Sequence, residues 1–133
     1  MATDKFVLAS PPSEPRALEL WLQHAAGLVL FEDVRGYALA RLDPEQEAST
    51  REAAIKAIDN AVYGLMMVID GVTGTLRGGD YRIDLRMNVR LSRGSELIQQ
   101  LDLVDGDGMC MGYHRWIRGD FGDDSVVRGD KAT

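Results

Sequence analysis

Arg82, Arg86 and Arg90 recur every four residues inside a segment that alternates apolar and polar side chains from Tyr81 to Leu91. On a strand this spacing puts all three guanidinium groups on one side, roughly 13 Å apart in succession at ~3.4 Å rise per residue. A planar, permanently charged fork grips carboxylates or phosphates through paired hydrogen bonds, so the row is the leading candidate for binding an acidic partner or an anion. The plainer account is a solvated sheet face, neutralised by Asp84, by Asp70 and by the aspartate-rich C-terminal segment, since exposed antiparallel faces are commonly charged. Asp70 is a second candidate contact. It falls where a long helix should end, at the negative end of the helix dipole, and a carboxylate there calls for a partner.

The remaining chemistry is thinner. Asp105-Gly106-Asp107-Gly108 opens like a calcium loop, but Met109 and Trp116 stand where the pattern needs an acidic or amide residue and a glutamate. A different cation site drawn from Asp105, Asp107, Asp120, Asp123 and Asp124 competes with ordinary turn aspartates. Cys110 and His114 would share a helical face, as a thiolate–imidazolium pair or half a metal site, yet no second cysteine completes it, and inert packing of Cys110 beside Met109 and Met111 is the better account. Asp59 and Asp70 lie three helical turns apart, ~16 Å along the axis, too far to share a substrate atom, so they read as separate polar anchors. Tyr113, Trp116 and Phe121 either seal the core or expose an aromatic contact, and Trp116 is retained as a candidate for the latter. No glycine pattern has the form of a dinucleotide or phosphate loop. No catalytic residue, cofactor or metal is assigned.

These side chains need elements to position them. Ser10-Pro11-Pro12 closes an extended lead-in, read as a flexible arm over 1–12. Ser13 offers an N-cap, Pro15 sits in the first turn, and Leu18, Trp21, Leu22, Ala25, Leu28 and Val29 define one buried helical face. Residues 37–42 fit either a short strand or a continued helix. Asp43-Pro44-Glu45-Gln46-Glu47 reads as a second helix start, with Asp43 as cap, and Ile55, Ile58, Val62, Leu65 and Ile69 carry that helix to Asp70, with Gly71 in the left-handed position beyond it. The alternation from Tyr81 to Leu91 predicts a strand with its apolar side on the core. Leu97 to Val104 would pair back as a hairpin over 81–104, and Asp107 would cap a short final helix bearing Met109, Tyr113, Trp116 and Ile117.

The expected fold class is therefore α+β: two long amphipathic helices on a small antiparallel sheet, one domain over 13–121, and a polar tail over 122–133. The chain of 133 residues is 45% hydrophobic and 27% charged, ample for a single core. Its net charge of −6 disfavours nucleic acid and anionic membrane as partners. One cysteine, no leader-like start and no apolar run near ~20 residues suggest a soluble, cytoplasmic protein. Segregated charge without a catalytic constellation points to a small protein–protein interaction module. An immunity or antitoxin-like inhibitor of a basic effector fits the acidity, and a homodimer formed through a sheet edge is a further possibility. The competing class is a ligand-binding protein or enzyme with Arg82, Arg86, Asp70 or His114 lining a pocket between helices and hairpin. Replacing Arg86 and Arg90 with Ser should abolish partner binding but spare folding if the stripe is a contact surface.

Overall fold

The computed structural model describes residues 1–120 and 126–128. Most helices and most strands occupy separate stretches of the chain, and every ladder among the described residues is antiparallel, so the fold is α+β. The helices are α1 (Ala2–Lys5), α2 (Pro15–Leu30), α3 (Gly36–Ala40), α4 (Ala48–Ile69) and α5 (Met109–Trp116). The strands pair as β1 (Phe6–Leu8) with β6 (Val126–Arg128), β2 (Leu76–Gly78) with β3 (Tyr81–Ile83), and β4 (Asn88–Arg93) with β5 (Glu96–Asp102).

The first long helix is capped one residue later than Ser13 would place it. Glu14 accepts from the Arg16 and Ala17 N–H groups at 3.0 and 2.7 Å, and Pro15 follows at the first helical position, where no donor is wasted. These two bonds hold the Glu14 carboxyl below its usual range, the Ala17 amide contributing most. Residues 37–42 resolve toward helix: α2 continues through a wide π-helical turn at Phe31–Arg35 into α3.

Asp43 accepts from the Glu45 N–H at 2.9 Å, but it organises a turn and not the helix itself. α4 begins at Ala48, after Glu47, so the proline-and-acid signal marks the approach to the helix and lies five residues ahead of it. Its far end is as the spacing predicts. Val72 N–H returns to Met67 O and Gly71 N–H to Val68 O, the paired closure that requires a left-handed residue, and Gly71 has φ 75°.

The core joins Trp21, Leu22 and Leu30 of α2 to Val62, Met66 and Ile69 of α4, with Leu101 and Leu103 from the β4–β5 hairpin and Met109, Tyr113 and Trp116 from α5. Trp116, 1% exposed, fits because two helices present glycine to it. A Cβ on Gly27 or on Gly112 would come under 3.0 Å from three atoms of the indole. Both glycines are therefore fixed by a close approach and not by turn geometry.

The hairpin expected over 81–104 divides in two. β4 and β5 pair from Asn88 to Asp102, and Leu103 N–H extends the ladder to Met87 O. The preceding residues turn back onto a different partner, Leu76 opposite Ile83 and Gly78 opposite Tyr81. The alternation is thus read correctly only in its second half, where Val89 and Leu91 pack on the core. Tyr81, Ile83 and Leu85 are 84%, 63% and 71% exposed, and Leu76 is 74% exposed. α2 supplies the helical floor beneath β4 and β5, and β2–β3 lies beyond it. The lead-in 1–12 carries order that its prolines do not announce: Ala2 N–H donates to Asp33 at 2.6 Å and β1 finds a strand partner near the other end of the chain. No helix among the described residues is long and apolar enough to cross a membrane.

Candidate functional site

The end of α4 and the glycine closure after it throw the chain outward over residues 71–75, and β2 and β3 then form a two-stranded ribbon. Between these arms runs a groove of about 630 Å³. Val68, Leu76, Ile83, Leu85 and Val104 give it apolar walls, and Arg82, Asp84 and Arg86 give it charge. Five consecutive residues, 82–86, contribute, from the end of β3 and the irregular stretch that follows it. A volume of this order accommodates a few side chains or a small organic ligand.

The arginine row does not act as one stripe. Arg82 and Arg86 both reach the groove, while Arg90 lies across from Gln100 in the separate β4–β5 ladder. Arg86 donates from Nε to Asp84 Oδ2 at 2.9 Å and lies 3.6 Å from Asp102 Oδ2. The Asp84 hydrogen bond is the main cause that raises the Arg86 pKa, and Arg86 in turn lowers that of Asp84. All these groups are solvated, so the pairs set orientation more than stability.

Asp70 stands apart from the groove's charged rim. Its two oxygens accept from the Met109 and Cys110 N–H groups at 2.6 and 2.9 Å, and thereby cap α5 from another helix. This is the partner that its position at the end of α4 demanded, since the positive end of α5 offsets the negative end of α4. Asp107, expected to cap α5, instead pairs with Arg16, and its own N–H donates to the buried Gln23 side chain at 2.9 Å. Asp59 is a second anchor. It accepts from Arg35 Nε at 2.6 Å and from the Tyr113 hydroxyl at 3.1 Å. Burial, reinforced by the Asp59 carboxylate, pushes the Tyr113 phenol up to about 12.

Cys110 and His114 do share a face of α5, and Tyr63 of α4 packs on it, with its ring 5.6 Å from the imidazole. Burial first, and then the neighbouring Asp70 carboxylate, raise the Cys110 thiol pKa, opposite to what a nucleophile needs. Among the described residues no group of three or more His, Cys, Asp or Glu side chains is placed to hold a metal ion. Asp123, Asp124 and Phe121 lie outside the described residues.

Of the four polar groups that would have built a pocket, Arg82 and Arg86 converge, whereas Asp70 and His114 serve the α4–α5 contact. Trp116 is inside the core. Sequence reasoning missed Leu76 and Leu85 as surface residues, because period-two alternation reports that one strand face is apolar and not what covers it. It missed Arg35 as well, whose role depends on a π-helical turn that no local signal marks. Comparisons with protein-family models, with curated proteins and with solved structures yield no match.

Proposed function

We propose that this chain is a protein–protein interaction module whose contact surface is the β2–β3 ribbon and the groove beside it. The observation that carries the reading is the uncovered apolar face: Leu76, Tyr81, Ile83 and Leu85 are contiguous, largely exposed and edged by arginines. Scattered apolar residues on a surface need no explanation, but a contiguous patch rimmed by charge marks a contact site. Burial of Leu76, Ile83 and Leu85 by a partner would contribute roughly 1–2 kcal/mol each at their present exposure. Arg82 and Arg86 would fix the orientation of that partner and favour carboxylates beside its apolar residues. An inhibitor-like role against a basic effector, suggested by the overall acidity, draws less on this face, whose rim is basic. A reducing compartment suits a chain with one largely packed thiol.

Native mass spectrometry of the protein isolated gently from its host tests the reading. A complex that is lost in the Leu76→Ser/Leu85→Ser double variant, yet kept in Met111→Ser, would support it, because Met111 is exposed on a different element, α5. A complex indifferent to the groove substitutions, or wild-type protein found only as a bare monomer or as a monomer with a small-molecule mass shift, would refute it.

A further inference from the structure

The open edge of the same ribbon, beside the apolar face, has features that specify an occupant, a reading that rests on the interaction surface proposed above. We propose that the occupant is a second copy of this chain, with β3 pairing antiparallel to β3 of the other copy about a two-fold axis at Ile83, so that two ribbons fuse into one four-stranded sheet.

Three observations converge. First, β2–β3 is a ladder of only three residue pairs, with no third strand among the described residues. Isolated two-stranded ribbons are marginal in water, and an open edge is a template for another strand. No backbone–backbone hydrogen bond joins Asp84, Leu85 or Arg86 to another described residue, and the Asp84 amide, held by its own carboxylate, would exchange that contact for the new strand.

Second, the charges match in this register. An antiparallel pairing centred on Ile83 sets Arg82 opposite Asp84 of the other copy, and Asp80 opposite its Arg86. Each pair occurs twice by symmetry. The apolar residues match as well, with Ile83 opposite Ile83 and Tyr81 opposite Leu85. A shift of the axis to Asp84 would instead oppose Asp84 to itself and Arg82 to Arg86, and like charges directly across a ladder are destabilising. A shift to Leu85 would also oppose unlike charges, Asp84 to Arg86, but would centre the pairing in the irregular stretch between β3 and β4, whereas the Ile83 register centres it in β3 and extends residues 84–86 beyond it.

Third, the ribbon carries a like-charge pair of its own, with Asp84 of the same chain as the nearby carboxylate. Arg77 lies directly across from Arg82 within one copy. Asp84 of a second copy, on the open side of Arg82, would add a further counter-charge. The apolar faces of both copies would then join into a single surface.

The test is a charge exchange read by sedimentation equilibrium on the purified full chain. Wild type should be dimeric, and Arg82→Asp or Asp84→Arg alone should each weaken self-association by about tenfold or more, since two cross-strand pairs turn repulsive at once. Mixing the two variants should restore association as a heterodimer, because one chain then presents two acids and the other two arginines at positions 82 and 84. In a Cys110→Ser background, Ile83→Cys should form an intermolecular disulfide under mild oxidation, since residues directly opposite on antiparallel strands are within disulfide reach, whereas Leu85→Cys should form one far more slowly. All the substituted ribbon positions are exposed, and circular dichroism checks that the variants fold. A monomeric wild type, a dimer indifferent to the single reversals, failure of the mixture to associate, or faster cross-linking at Leu85→Cys would overturn the proposal. If wild type is monomeric while Leu76→Ser/Leu85→Ser still abolishes a complex with another polypeptide, the interaction reading stands and self-pairing alone falls.

Discussion

Gly27→Ala sets two physical effects against each other with opposite signs. Gly27 lies inside α2, where alanine is preferred over glycine by about 1 kcal/mol, so propensity alone predicts a more stable protein. The tertiary contact predicts the reverse. The new methyl would fall under 3.0 Å from three atoms of the Trp116 ring, a separation that real Cβ atoms essentially never show. Trp116 is 1% exposed and has no route to solvent, so α2 and α5 must separate. Overpacking by one methyl usually costs about 1–3 kcal/mol, and an overlap with three ring atoms belongs at the upper end or above it. The expected net loss is ~2 kcal/mol, a fall in Tm of roughly 6 °C for a chain of this size. Urea unfolding followed by far-UV circular dichroism measures it, and a double-mutant cycle isolates the cause. Trp116→Leu alone should cost about 3 kcal/mol through the cavity it leaves. In that background Gly27→Ala should become stabilising, because the methyl enters free space and the propensity gain remains. A stabilising Gly27→Ala in the Trp116 protein, or the same cost in both backgrounds, would refute the argument that the indole dictates the glycine.

Asp70→Ala should destabilise by about 2–4 kcal/mol, since it removes two charge-assisted bonds and leaves the Met109 and Cys110 N–H groups without acceptors; a loss below ~1 kcal/mol in chemical denaturation would contradict the cap. The Tyr113 phenol titrates higher in the folded chain, at about 12 against an ordinary 10.0, so its contribution is complete below pH 10 and is lost as pH rises toward 12. Tyr113→Phe should flatten this part of the alkaline stability profile, and an unchanged slope would show that other groups cause it. Cys110 should react with a disulfide reagent several-fold more slowly at neutral pH than a free cysteine, and Asp70→Asn should speed the reaction by removing one of the two causes that hold the thiol protonated.

The elements that local chemistry specifies were legible in the sequence. Leu18, Trp21, Leu22 and Leu28 identify α2 by their spacing, and Gly71 marks the end of α4 because only a residue tolerant of positive φ closes a helix in that way. The α+β class, the return strand after Arg93 and the short helix with Met109, Tyr113 and Trp116 inward also follow from residue order alone. Asp43 shows the limit of such signals, since a turn and a helix start use the same capping chemistry. The rest depended on which elements meet in space. Asp70 becomes the cap of a helix 39 residues away only because α4 delivers it there. Gly27 is required by a tryptophan 89 residues further along the chain, which nothing in its own helix predicts. From Tyr81 to Leu91 the pattern stays the same along the chain, yet its second half is packed on the core and its first half is uncovered. Periodicity determines that a strand has an apolar face, whereas the extent of the helical layer beneath decides whether that face is core or contact surface.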